Sequence, residues 1–537
     1  MKLVLGITTV LLLAVFSVAY LYFTNLTGDS RSNDKTLAAI PADAAIIFNF
    51  VNDRSLYEIF KDYTVFDTIA GNRKKQELQW LKNFILSNPE LSSAAFGQKV
   101  FLSLHPMSTD SLRFLWVMPL REDIQLDEIA DFLKKQTGQI TKGAQTGPSI
   151  LEINDHSVPG TFYIGIDGGI ARGSFSKTLL LESLDGKSKK ISKEFVEEIN
   201  DAVLKGDNAL TSLFINHNKP GFLDVFFKEA PNGNFDLFKS SAAYTNLNLN
   251  YKSDALMFNG VTRLDTGQND YLNIFLEQEP VKNTIKKIIP YNLSNAICYG
   301  LSDYKLFRAS LKDLFSKRKE LVALDEQIKL ITTETGVNPD RDIKRLWGNE
   351  FSNMQLSTHE NLAVIRISNG QQLQFYLEPL STFYSDAVRK MDYENLFYYY
   401  FGDPLMKYSK PFFGITDNLV IISNSPGTVQ RFLNDYNSER LLSNNPSFTR
   451  FDQLVADQSN ISFLMQFRNS ESLLKSLLKK EYSPIFNKKE YGFKEFYGIS
   501  YQLTSNKEHF FTNVYSGYKA SPTASADSLV NTKDINR

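Results

Sequence analysis

Two short runs in this 537-residue chain contain residue types that hydrolases use. Asp155-His156-Ser157 sets the three members of an acid–base–nucleophile triad side by side. In a working triad the hydroxyl attacks, the imidazole takes its proton and the carboxylate orients the imidazole. Such groups converge from separate parts of a fold, and neighbours in sequence rarely face one another, so this run reads as a solvated loop. Ser174-Phe175-Ser176-Lys177 fits the S-x-x-K pattern of penicillin-recognising enzymes at an expected strand-to-helix junction. The companion S-D-N and K-T-G sequences are absent. Ser316–Lys319, Ser472–Lys475 and Ser476–Lys479 match the same loose pattern. A serine capping a helix N-terminus accounts for the run with less chemistry.

The rest of the inventory is thinner. His105, His156, His217, His359 and His509 are too far apart for a helix-borne pair of metal ligands. The single cysteine, Cys298, sits in an apolar run (Ala296-Ile297-Cys298-Tyr299) and reads as a buried thiol. One cysteine also excludes an internal disulfide framework. Gly165, Gly168, Gly169 and Gly173 do not form G-x-G-x-x-G, and no P-loop or EF-hand loop occurs. Sixty acidic residues give no spacing from which a glycosidase pair could be chosen. No catalytic, cofactor-binding or metal-binding residue is therefore assigned, no cofactor is expected, and a non-enzymatic role is favoured.

Two stretches could bind rather than react. Leu396-Phe397-Tyr398-Tyr399-Tyr400-Phe401 could line a lipid or glycan groove, although a segment buried on both faces gives the same pattern. Leu473, Leu474, Leu477 and Leu478, flanked by Lys475, Lys479 and Lys480, could lie on an anionic membrane. A core-facing amphipathic helix is the simpler reading. The Phe-rich stretch Phe222 to Phe238 has the same ambiguity.

The elements that must hold these residues alternate in kind. Ala45 to Val51, Lys99 to Leu104 and Leu112 to Met118 read as strands; Leu78 to Leu86 and Leu126 to Leu133 read as helices. Thr161 to Ile166 and Gly169 to Ser174 form an expected hairpin across Asp167-Gly168, a favoured turn pair. The pattern recurs at a spacing near 249 residues. Ile40-Pro41 matches Ile289-Pro290, Tyr163-Ile164-Gly165-Ile166 matches Phe412-Phe413-Gly414-Ile415, and Ala255 to Val261 matches Glu508 to Val514. A period this long indicates a pair of homologous domains, not a solenoid. The fold expected is α+β: an N-terminal transmembrane helix followed by two tandem domains with largely antiparallel sheets and helices packed on them.

Leu3 to Phe23 is 21 residues without charge, Asn, Gln or Pro, long enough for a bilayer core of roughly 30 Å. A cleaved signal peptide ending near Ser17-Val18-Ala19 is the alternative; both readings export the body. Residues 1–23 are the anchor, 24–39 a polar linker, 40–284 and 285–518 the two repeats, and 519–537 a disordered tail. The body is apolar enough for real cores, with 42% hydrophobic and 13% aromatic residues in the chain. Its balance of 59 Lys+Arg against 60 Asp+Glu argues against a dedicated nucleic-acid binder.

Together, the Ile-Pro-Ala-Asp-Ala opening (Ile40 to Ala44), Gly414 to Ser423, Leu441 to Phe448 and Asn460 to Phe467 resemble an uncharacterised family of bacterial, Bacteroidota-like envelope proteins. That resemblance implies a single span and a long extracytoplasmic α+β region, and no catalytic residue. The expected location is the inner membrane, single-pass, with the body in the periplasm. The expected role is binding or scaffolding in the cell envelope, with the membrane and an envelope protein or lipid as partners and no nucleic acid. An envelope hydrolase acting on glycan or peptide bonds, or a lipid or lipoprotein carrier, are the alternatives.

Overall fold

The computed structural model describes residues 34–51, 80–81, 97–107, 111–120, 125–137, 140–143, 149–155, 160–205, 211–218, 227–229, 233–238, 242–252, 255–265, 267, 269–480 and 496–518. The apolar run 3–23, residues 24–33 and the tail 519–537 lie outside them, as do His156 and Ser157. The chain divides into two compact units, one holding residues 1–64 and 70–225, the other 65–69 and 226–537.

In the first unit the strands are β1 (Ile46–Val51), β2 (Lys99–Met107), β3 (Ser111–Pro119), β4 (Ile140–Gly143), β5 (Ile150–Asn154), β6 (Thr161–Asp167), β7 (Ile170–Ser174) and β8 (Thr211–Asn216). All pairings are antiparallel, in the order β8-β1-β2-β3-β7-β6-β5-β4. The β6–β7 turn is Gly168-Gly169, with Asp167 paired to Ile170 as the last strand residue. Both glycines have positive φ, 59° and 74°, the backbone that a tight hairpin of this twist requires. Helix α1 (Leu126–Thr137) lays Leu126, Ile129 and Ala130 on Leu151, Ile153, Phe162 and Ile164 of the sheet. Helices α2 (Lys177–Leu184) and α3 (Lys193–Lys205) follow β7. Residues 34–39, expected in a polar linker, are folded here. Leu37 and Ala39 are buried, and Ser183 Oγ donates to the Ala39 carbonyl at 2.7 Å.

In the second unit the strands are β9 (Ala242–Lys252), β10 (Ala255–Leu264), β11 (Val281–Lys282), β12 (Leu293–Gly300), β13 (Trp347–Leu356), β14 (Asn361–Ile367), β15 (Ser381–Ser385), β16 (Val388–Met391), β17 (Phe412–Thr416), β18 (Leu419–Ser423), β19 (Gln458–Ser459), β20 (Ile461–Gln466), β21 (Phe496–Ser505) and β22 (Phe510–Tyr518). Its long ladder runs β9-β10-β22-β21-β20-β12-β13-β14-β18-β17-β16-β15, again antiparallel throughout. β11 and β19 pair separately. Helices α4 (Tyr304–Lys317), α5 (Leu321–Thr335), α6 (Gly370–Leu377), α7 (Leu396–Phe401), α8 (Pro426–Asn437), α9 (Pro446–Asp452) and α10 (Phe467–Leu477) complete it. Every residue of β12 is buried because helices cover both faces. Ala296, Cys298 and Met354 meet Val429, Phe432, Phe448 and Phe451 of α8 and α9 on one side. On the other, Tyr299 stacks on Phe351 at 4.7 Å and Phe351 meets Phe307 of α4 and Phe401 of α7.

These findings correct the expected fold. No helix among the described residues is long and apolar enough to cross a membrane. The protein is mostly a large antiparallel sheet with helices, not two tandem α+β domains that end at residue 284 and restart at 285. Strand β10, expected to finish the first repeat, pairs with β22 from Ala255↔Gly517 to Thr262↔Phe510. The physical reason is edge satisfaction: β10 and β22 each need a second hydrogen-bonding neighbour, and each supplies it to the other. Within the second unit, the stretch β20-β12-β13-β14-β18-β17-β16-β15 has the same order and chain connectivity as the eight strands of the first.

Candidate functional site

The most chemically suggestive group lies on β2 of the first unit. Alternation along a strand puts Phe101, Ser103 and His105 on one face. β2 is a central strand between β1 and β3, and Phe101, Ser103 and His105 are each 0% exposed, so this face is interior. The Ile40 to Ala44 segment is laid against the sheet by Ala45 N–H to the Leu104 carbonyl (3.0 Å) and Ala42 N–H to the Lys189 carbonyl (3.0 Å). That placement carries the Asp43 carboxylate to His105.

Ser103 Oγ lies 2.8 Å from His105 Nε2, and His105 Nδ1 lies 2.6 Å from Asp43 Oδ1. This is the hydrogen-bond order of a Ser–His–Asp triad. At 2.6 Å two lone pairs would repel, so the proton sits on Nδ1 and is donated to the carboxylate. Ser103 Oγ then donates to Nε2 of a neutral ring, or to the Leu115 carbonyl oxygen at 3.3 Å when the ring is doubly protonated. Arg113 approaches the second Asp43 oxygen at 3.5 Å. Burial alone pushes the Asp43 carboxyl up. The hydrogen bond and charge of His105, with the Arg113 guanidinium, outweigh burial and hold it below its ordinary 3.8.

Two things needed for turnover are missing around Ser103 among the described residues. The hydroxyl has no exposed surface, and the Leu115 carbonyl beside it is an acceptor, the wrong polarity for an oxyanion. The arrangement can therefore fasten the opening segment to the sheet as it stands. The matching register position in the second unit holds Ser352, opposite Cys298 as Ser103 is opposite Ile47. Met354 stands there in place of His105.

The residues singled out in sequence fall elsewhere. Asp155 accepts a bond from Trp80 Nε1 at 2.8 Å. Ser174 Oγ donates to the Phe114 carbonyl at 2.7 Å, while Lys177 points to Glu152 at 2.7 Å, so the S-x-x-K pair is not brought together. Ser176, between them, caps α2 by accepting from Leu179 N–H. Leu396 to Phe401 are all buried in α7. Leu473 and Leu474 of α10 are buried in the body, not presented as an apolar surface. Phe235 and Phe238 pack on Phe463 at 5.8 and 5.1 Å.

Cys298 is buried, as its apolar run predicts, but its surroundings and two further features gave no local signal. Cys298, Lys286 and Asp452 border a cavity of about 20 Å³, room for one water. Burial pushes the Cys298 thiol up to about 12, which leaves it inert. Asn234, Asn295, Asn353 and Tyr408 form a buried hydrogen-bonded chain with links of 2.8 to 3.0 Å. Arg308 of α4, 5% exposed, stacks on Tyr399 at 3.9 Å, and its guanidinium nitrogens have no hydrogen-bond partner among the described residues. Burial raises the nearby Tyr400 phenol well above its usual value, so it serves as a donor to Asp340 at 3.2 Å, not as a base. No group of three or more His, Cys, Asp or Glu among the described residues could hold a metal ion.

Comparisons with known proteins add little. No protein-family model and no curated protein match this chain. Among solved structures, crystal form III of TP0453 is similar over 46% of this chain and 89% of its own, at 9% identity and a TM-score of 0.26.

Proposed function

We propose that this protein is exported, held at a membrane through the apolar run at residues 3–23, and works in the cell envelope by binding or scaffolding. The observation that carries this reading is the enclosure of Ser103 and His105. An acyl carbon must come within about 3 Å of an attacking oxygen, and both Ser103 and His105 are fully covered. The cavity bordered by Cys298 has room for a water and not for a substrate. The uncharged run and the resemblance to envelope proteins support the location. The even charge balance supports a protein or lipid partner over nucleic acid.

The hydrogen-bond order itself favours a second reading, an acyl hydrolase. Ser103 Oγ would attack an ester or amide carbonyl, His105 Nε2 would take the proton and pass it to the leaving group, and water would release the acyl enzyme. A fluorophosphonate probe separates the two readings. Binding or scaffolding predicts no labelling of the full-length native protein, with an envelope protein or lipid recovered after in-cell cross-linking. Labelling at Ser103 that His105→Ala abolishes would install the hydrolase instead.

A further inference from the structure

The outward face of α10 borders a groove of about 470 Å³, lined by Ser357, Arg468, Asn469, Glu471, Ser472 and Lys475. Helical spacing explains which side chains reach it. Phe467, Ser470, Leu473 and Leu474 are buried in the body, so Arg468, Ser472 and Lys475, at i, i+4 and i+7, share the opposite face. The other wall is the turn between β13 and β14, which carries Ser357 and His359. Both walls are fastened to the segment that opens β12. Asn469 Nδ2 donates to the Tyr291 and Leu293 carbonyls at 3.0 and 2.8 Å, and Ser357 N–H donates to the Asn292 carbonyl at 2.9 Å. His359 Nε2 lies 3.2 Å from Ser472 Oγ and links turn to helix. The charges here do not cancel. Lys475 Nζ pairs with Glu471 at 2.7 Å, but among the described residues nothing pairs with Arg468. The groove keeps an excess positive charge on a side chain whose planar fork suits phosphate and carboxylate oxygens.

We propose that this groove binds a phosphate ester, with Arg468 and the hydroxyls of Ser472 and Ser357 on the phosphoryl oxygens. Charge, geometry and size each select this ligand. The unpaired guanidinium calls for an anion. Donors arriving from two walls suit a tetrahedral phosphoryl group better than a carboxylate, whose oxygens accept near one plane. The groove falls within the range of about 300–1,000 Å³ usual for small-molecule sites, which leaves room for the esterified alcohol. A lipid head group and a soluble ester present the same phosphoryl oxygens. The site therefore stands whether or not residues 3–23 hold the chain at a membrane, and whether or not Ser103 reacts.

Titration calorimetry with glycerol 3-phosphate tests it, on the full-length protein in micelles of an uncharged detergent. Binding should saturate. Arg468→Gln should weaken it at least about tenfold, the equivalent of one charge-assisted hydrogen bond. The thermal midpoint should not move, because that substitution breaks no pair among the described residues. Lys305→Gln, an exposed lysine on α4, should change neither quantity. Glycerate, the carboxylate counterpart, should bind at least about tenfold more weakly. Phosphatidylglycerol doped into the micelles separates the two sources of the ester. Displacement of glycerol 3-phosphate assigns a lipid head group, and retention assigns a soluble ester. An absence of saturable binding would overturn the proposal. So would binding indifferent to Arg468→Gln, or glycerate bound as tightly as glycerol 3-phosphate.

Discussion

At the scale of single residues, Asp43 is a carboxylate whose value depends on a buried imidazole. His105 is fully buried, and its ring N–H is donated to the Asp43 carboxylate. Asp43→Asn keeps an oxygen that can accept this N–H but removes its charge, so it should cost about 1 kcal/mol at pH 7, the difference between hydrogen bonds to charged and to neutral groups. The Asp43 side chain is 40% exposed, which keeps the figure from being larger. Because the folded-state value of Asp43 is depressed, its contribution is fully present above the unfolded value near 3.8 and is lost as pH falls through the folded one. Urea unfolding of the two proteins from pH 7 to pH 3 should therefore show curves that differ at neutral pH and converge in acid. A gap that stayed constant across that window would mean the carboxylate's charge is not what matters.

At the scale of elements, the turn between β6 and β7 isolates backbone conformation from packing. A Cβ on Gly168 would meet nothing within 4 Å, so its cost comes from φ +59° alone. Gly168→Ala should destabilise by about 1–2 kcal/mol. Gly186→Ala, equally open but without positive φ, should be neutral or slightly stabilising. Equal denaturation midpoints for the two variants would remove the conformational argument. This turn also marks how far local pattern reaches. The hairpin is legible from its glycine-containing turn between two strand-like segments, although β7, buried along its whole length, carries Arg172. The turn itself lies one residue beyond Asp167-Gly168, because Gly-Gly fits two positive-φ sites better than Asp-Gly does. Leu396 to Phe401 was legible as buried on both faces but not as a helix, since six apolar residues carry no period. Asp43 and His105 stand 62 positions apart and meet only because β1 and β2 pair, so no motif could have announced them. The Asp within Ile40 to Ala44 was the only hint.

At the scale of the whole molecule, the question is whether residues before and after position 284 unfold separately. The recurrence in sequence and the matching eight-strand order both support an internal duplication, and two freestanding repeats would be its simplest product. The β10–β22 ladder gives the opposite expectation. Thr262 Oγ1 lies 2.7 Å from Thr512 Oγ1 and 2.9 Å from Thr245 Oγ1, so the buried hydroxyls of β9, β10 and β22 form one chain across the join. Gly260 permits the close approach: a Cβ there would sit 1.9 Å from the Asn246 carbonyl oxygen on β9. Gly260→Ala must therefore push β9 and β10 apart. If the ladder makes these strands one cooperative element, amide hydrogen exchange should quicken by about tenfold or more in residues 255–262 and in 510–517 alike. If the repeats were independent, the faster exchange would stop before residue 284 and β22 would keep its protection. The pairing register favours the first outcome, because opening β10 strips β22 of a neighbour along its whole length and leaves β21 to hold it alone.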